Sequence, residues 1–328
     1  MGYHTNPFPE PKGRPSMGKQ QNALAVVNYK GGVGKTTATF FLGAQLAVDH
    51  PRSKVLIIDI DAQCSLTTVF GLDPVRESQL GRNIFRLVQP GKPLPDKAKR
   101  DLYLRNQRGS RGFPENLYLL PGSFETEDLD VKLAKEDARG TAGFFARCAQ
   151  VLGLFDDFGA ILIDCPPNKM FLTQGMLQAA GHYLVVVIPD KVSVYGVPRL
   201  IRWVGEIPFP ERPLLAGCLV NRVIRSPSGI TQEQMRWVSQ LEATLADRDL
   251  VGRNRGILGQ WPNSNKVCAT YGMGTTHLGN ADMFASTSRQ LSPGETVRYT
   301  ASILAQMVKL HDHEKRQEKQ APVPPPRR

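Results

Sequence analysis

Seven short apolar runs punctuate the chain, at 23–28, 54–59, 117–120, 160–164, 183–188, 214–220 and 257–261. They are rich in β-branched residues and continuous rather than alternating, as expected of strands buried on both faces. The intervals between them are long enough for helices, and residues 38–48, just after the first run, have a helical pattern. Together these features predict an α/β fold: a doubly wound, mostly parallel sheet with helices on both faces. In such folds ligands gather at the carboxyl ends of the strands.

Outside those runs the pattern is poorer. Between 71 and 115 the chain carries Pro90, Pro93 and Pro95 and a basic series, Lys92, Lys97, Lys99, Arg100, Arg105, Arg108 and Arg111. This predicts a variable surface insertion, part helix and part mobile loop. Thr231 and Gln234 have the spacing of a capping box, opening a helix whose Met235, Val238, Leu241 and Leu245 share a face. Residues 1–21 mix Pro, Gly, Lys and Asn, and 311–328 run from charge into proline. Both are expected to be disordered, an arm and a tail around one domain at 22–310.

Composition narrows the classes of partner. Lys plus Arg exceed Asp plus Glu by 41 to 30, a formal +11. Such a surface attracts polyanions, nucleic acid or acidic lipid, although solubility alone also explains it. The longest apolar run, 183–189, is far too short to cross a bilayer. Neither a secretory h-region nor an N-myristoylation pattern is expected at the start of the chain. Cys64, Cys148, Cys165, Cys218 and Cys268 are scattered and form no C-x-x-C pair, which fits reduced thiols in a cytosol and no structural metal.

The chemistry concentrates at residues 30–37, Lys-Gly-Gly-Val-Gly-Lys-Thr-Thr, between the first strand and its helix. Gly31, Gly32, Val33 and Gly34 turn backbone N–H groups toward an anion, and the helix presents its positive end. Lys35 supplies a cation, Thr36 a magnesium-ligating hydroxyl, and Thr37 completes the motif. Tyr29 stands where the common P-loop pattern has glycine. A nucleoside triphosphate held there needs Mg2+ and a strand-end carboxylate to orient the ion's water shell. Asp164 ends one run and is followed, after Cys165, by Pro166 and Pro167, which make a stiff loop. Asp59 and Asp61 end another. Asp61, nearer the loop, is placed to hold an attacking water in line, and Asp59 to support the magnesium shell.

These three motifs together resemble the deviant Walker ATPases of the ParA/MinD family, nearest to ParA-type partition proteins. The resemblance spans roughly residues 23–310 and implies ATP and Mg2+ as cofactors. It implies that Lys30 is the lysine that reaches across an ATP-bound homodimer to the partner's phosphates, with Lys30, Lys35 and Asp61 the catalytic set. Asp61 would position water, and Asp164 would be the Walker B acid. Asn221 resembles the family's adenine-reading asparagine, with a turn-forming role as the alternative. Ala62 stands where the family usually has proline, leaving that loop less stiff.

The resemblance further implies a cytoplasmic, nucleoid-associated protein that binds DNA without sequence preference as an ATP dimer and hydrolyses ATP weakly until stimulated by a ParB-like protein. Arg222, Arg225, Arg236 and Lys266 are the candidate DNA contacts, each equally readable as a solvated surface residue. A chain ending in prolines and arginines gives no reason to expect the amphipathic membrane helix of MinD-like relatives. The alternatives left open are a related ATPase that positions a protein cargo on the nucleoid, and a non-hydrolysing, nucleotide-dependent DNA-binding regulator.

Overall fold

All seven apolar runs are strands of a single parallel sheet. The computed structural model describes residues 20–106, 113–208, 211–226, 229–251, 257–262 and a few positions between 298 and 305. In its first half, β1 (Gln20–Val27) leads to α1 (Lys35–Asp49) and β2 (Val55–Asp59). Four short helices follow, α2 (Ser65–Val69), α3 (Pro74–Gln79), α4 (Ile84–Val88) and α5 (Lys97–Arg100), before β3 (Leu117–Leu120). Helices α6 (Thr126–Leu133) and α7 (Ala138–Gly153) then lead to β4 (Ala160–Asp164), α8 (Phe171–Ala179), β5 (Ala180–Val187) and α9 (Lys191–Gly205). The chain continues with β6 (Leu214–Val223), a small antiparallel pair β7 (Arg225–Ser226) and β8 (Gly229–Ile230), α10 (Gln232–Ala246), α11 (Arg248–Val251) and β9 (Ile257–Pro262).

The strand order is β3-β2-β4-β1-β5-β6-β9, with every neighbour parallel. Pleating sends alternate residues of β1 to opposite layers. Ala23, Ala25 and Val27 join the core that includes Phe144, Cys148, Met176 and Val197. Leu24 and Val26 join the core under α1, with Phe40, Phe41 and Leu42. Both faces are therefore dry, which explains why the strands read as unbroken apolar runs. Helices have local causes as well. Asp137 caps α7, accepting from the amides of Arg139 and Gly140, and the buried Phe144, Cys148, Val151 and Leu152 of that helix share one face. Burying each such side chain stabilises the fold by about 1.5–3 kcal/mol.

Three expectations are corrected. The segment 71–115 is part helix and largely at the surface where it is described, but not wholly so: Ile84, Phe85, Leu87 and Val88 of α4 lie in the main core. Arg100 is buried too, its guanidinium paired with Asp157 and stacked near Phe155 and Phe158. The capping box does not form. Thr231 makes no side-chain cap, and Gln234 instead donates to the Arg222 carbonyl at 3.2 Å and accepts from the Ile224 amide at 2.7 Å. That helix buries Val238, Leu241 and Leu245, while Met235 is exposed. Finally, β1 begins at Gln20, inside the arm expected at 1–21. The remainder of that arm, Lys266, Cys268 and the tail at 311–328 lie outside the described residues.

Candidate nucleotide site

The register of the central strands builds the site. Asp59 of β2 and Asp164 of β4 are direct neighbours across the sheet, and Asp164 also pairs with Val26 of β1, two residues before the glycine loop begins to form. In-register residues of parallel strands share a face, so the two carboxylates lie side by side. Asp59 is fully buried. Its Oδ1 accepts from the Asp61 amide at 3.2 Å, and its Oδ2 from the Thr67 amide at 2.9 Å and hydroxyl at 2.7 Å. Thr67 Oγ1 in turn accepts from the Gly122 amide at 2.9 Å. A Cβ at 122 would come within 3.0 Å of Asp59 Cγ, so the glycine lets the chain after β3 pass close over this acid.

Asp164 is supported differently. Oδ1 accepts the Thr39 hydroxyl at 3.3 Å, and Thr36 lies near enough to lower the acid's pKa. Oδ2 is buried and has no hydrogen-bond partner. Burial first, and then the Asp59 carboxylate, pushes Asp164 up to about 8, against the pull of Thr36 and Lys35. Burial likewise raises Asp59 to about 6, opposed by its bonds from Thr67 and Asp61. Lys35, 7% exposed, is held below the usual lysine range by burial, with Asp164 and Asp61 drawing it back. An unpartnered buried carboxylate oxygen beside a threonine and a lysine is the environment a divalent cation with phosphate would complete.

The loop that faces these acids has the shape its glycines allow. Gly32 and Gly34 sit at φ 71° and 93°, where a side chain would be strained. A Cβ at Gly31 or Gly32 would meet nothing within 4 Å. Glycine at 31 is therefore not demanded by packing inside the protein, which fits close approach of a ligand to the backbone. Val33 is buried beneath the loop, and Lys35 opens α1 with Thr36 and Thr37 in its first turn. Asp61 turns one oxygen back to the Gln63 amide at 2.9 Å, bending the chain after β2.

Lys30 lies at the rim. Its Nζ is paired with Asp190 Oδ2 at 2.5 Å, while Asp190 Oδ1 caps α9 through the Ser193 amide at 2.8 Å. Asn28, missed in the sequence, fixes the approach to the loop: it donates to the Val186 carbonyl at 2.6 Å and accepts the Lys30 amide at 2.9 Å. Asn221 lies within β6 rather than after it, and its carboxamide faces protein. It donates to the Val33 carbonyl at 2.8 Å and accepts the Arg222 amide at 2.9 Å. Arg222 is exposed, at φ 58°, where β6 and β9 lose register. Gln234 ties this turn to α10, on which Arg236 lies near the ring of Trp237. Arg225 opens β7 next to it.

A glycine loop at a helix N-terminus, facing a strand-end acid with an open oxygen, defines a P-loop nucleotide site, here with the added lysine of the deviant Walker pattern. A family model described as "AAA domain" matches residues 21–213, more than half of the chain. A "ParA family protein" of Chlamydia trachomatis is 31% identical over 56% of this chain and 65% of that protein. The "Chromosome-partitioning ATPase Soj" of Treponema pallidum is 30% identical over 58% of this chain and 65% of its own. The structure of cobyrinic acid a,c-diamide synthase from Mycobacterium smegmatis, with bound ATP analog and magnesium, superposes with a TM-score of 0.59. It is 23% identical and covers 86% of this chain and 92% of that one. The chain belongs to the AAA-domain family matched, and within it to the ParA/MinD-type Walker ATPases. It spans between 46% and 65% of the length of such curated relatives.

Among the described residues no helix is long and apolar enough to cross a membrane. Cys64, Cys148, Cys165 and Cys218 are buried free thiols, all pushed upward by burial, so their sulphur serves packing.

Proposed function

We propose that this protein is an ATP-driven dimerising switch that binds DNA without sequence preference and partitions a DNA molecule with a ParB-like activator. The observation that carries the reading is the unpartnered Oδ2 of Asp164, buried beside Thr36 and Lys35 under an open glycine loop. The relatives named for ParA and for chromosome partition support the cellular role.

In this reading Gly31 to Thr37 and Lys35 hold the phosphates of ATP, while Thr36 and Asp164 hold Mg2+. Bound magnesium neutralises charge on the terminal phosphate. Asp59, tied to Thr67, fixes the position of its neighbour Asp164 and supports the ion's water shell. Asp61 orients the attacking water. Asn221 braces the loop from beneath through the Val33 carbonyl. Lys30 exchanges Asp190 for the phosphates of a second subunit, so loss of the terminal phosphate removes the contacts that favour the dimer. Arg222, Arg225, Arg236 and Lys266 give the dimer its phosphate-binding edge, on a cytoplasmic, nucleoid-associated protein.

A DNA-binding titration with ATP, ADP and no nucleotide, at two salt concentrations, tests switch and track together. Binding is expected with ATP alone, and its log-log salt slope should be about 0.9 per phosphate contact. Equal DNA affinity in all three nucleotide conditions would remove the switch.

A further inference from the structure

We propose that Lys169 is a positioning residue for hydrolysis, its ammonium resting over the rings of both Tyr29 and Trp203 so that it sets the loop following Asp164. The inference rests on the ATPase reading above and adds a residue that the three motifs do not contain.

The loop runs Cys165-Pro166-Pro167-Asn168-Lys169-Met170, from the acid at the end of β4 to the start of α8. Its two prolines fix φ but offer no N–H groups, so the loop has few ways of attaching itself to the protein. Its inner end is held by the Cys165 amide, which donates to the Val26 carbonyl at 3.3 Å. Its outer end is held by Lys169, whose Nζ lies 5.2 Å from the Tyr29 ring centroid and 5.3 Å from that of Trp203. Both distances are within the range at which a ring face attracts a cation. Among the described residues no carboxylate pairs with this ammonium.

Tyr29 is informative because of where it stands. It occupies the loop position at which the common pattern has glycine, and its hydroxyl is buried without a hydrogen-bond partner. The fold therefore uses the ring and not its polar tip. That ring lies 5.7 Å from Trp203 at an interplanar angle of 54°, and Trp203, only 8% exposed, is fixed in α9. The two rings form one apolar platform, and the flexible lysine stem reaches over it from the opposite loop. Three elements meet there: the entrance of the glycine loop, the loop carried by Asp164, and the helix whose cap, Asp190, holds Lys30. A shift of the Asp164 loop would reach both others through Lys169.

The test compares Lys169→Met, which keeps the stem and loses the charge, with Lys169→Arg, which keeps the cation, in the full chain. In nucleotide-free protein, exchange of the Leu172 and Gln174 amides, which donate to Asp130 and to the Met170 carbonyl at the loop's end, should be about fivefold faster in Lys169→Met and close to the parent in Lys169→Arg, the factor a contact of this kind supplies. With ATP and Mg2+, kcat of Lys169→Met should fall about tenfold while KM changes less than about twofold, and Lys169→Arg should recover most of the loss. Unchanged exchange in Lys169→Met overturns the contact. Faster exchange with an unchanged kcat overturns the positioning role. A parent protein that hydrolyses no ATP sinks the ATPase reading and the positioning role with it, while the exchange comparison still decides the contact by itself.

Discussion

Two sets of charged side chains stand at the same end of one sheet under different physics. Asp59, Asp164 and Lys35 are buried, and their protonation is displaced from the ordinary range by lost water and by one another. Lys30 and Asp190 sit at the rim with 31% and 39% of their side chains exposed. A partly solvated pair of this kind contributes roughly 0.2–1 kcal/mol, little enough to be exchanged for another partner. The buried set is held rigid by Thr67, Gly122 and Thr39, as a phosphate and metal site requires, whereas the rim is held loosely, as a switch requires.

The largest expected effect falls inside. Lys35→Ala should weaken ATP binding on the order of 100-fold, because a desolvated charge-assisted contact to phosphate is lost. Lys30→Ala should leave that affinity nearly unchanged and abolish the ATP-dependent dimer. Calorimetry with ATP and Mg2+, followed by analytical ultracentrifugation, separates the two. The reverse pattern would exchange the roles of interior and rim.

A second effect inside concerns pH. A carboxyl raised in the folded state holds its proton after the unfolded one has lost it, so folding stability falls as pH rises between about 4 and 8. Asp164→Asn removes that penalty. In magnesium-free buffer at pH 8 it should be more stable than the parent by on the order of 2 kcal/mol, roughly 3–6 °C in Tm, with the gap closing toward pH 4. Magnesium nucleotide should stabilise the parent and not the variant. A parent that outlasts Asp164→Asn at pH 8 without metal would show that Asp164 is ionised and compensated there.

The buried set was largely legible in the sequence, whereas at the rim only Lys30 was and its partner was not. Continuous apolar runs located every strand of the main sheet, and Asp59 and Asp164 fell at the ends of two of them. Their neighbours were hidden, since Thr67 and Gly122 reach Asp59 only after the chain has folded. Helices as short as α4 contain too few turns to show a helical period, so its core residues read as part of a surface insertion. Thr231 and Gln234 carry the right spacing for a cap, but Gln234 finds better partners on the Arg222 turn. Asn221 matched a family pattern, whereas its contact with Val33 lies across the fold. At the rim, Lys30 and Asp190 are 160 residues apart, a pairing that only the adjacency of β1 and β5 creates.

The smallest effect is the sharpest test of the rim. Asp190 does two jobs, pairing Lys30 through one oxygen and capping α9 through the other. Asp190→Asn keeps an effective cap, since asparagine serves that position as well as aspartate, and removes only the charge that holds Lys30. If the pair within the subunit competes with the phosphates of a second subunit, its loss should lower the ATP concentration that gives half-maximal dimer by about twofold to fivefold, the factor a partly exposed ion pair supplies. Thermal stability should stay within about 0.5 kcal/mol of the parent. The same substitution in a Lys30→Ala background should do nothing further, because the competing group is already gone. A dimer that becomes harder to form in Asp190→Asn would mean that Asp190 orients Lys30 for its partner and does not restrain it, turning the rim from a latch into part of the assembled site.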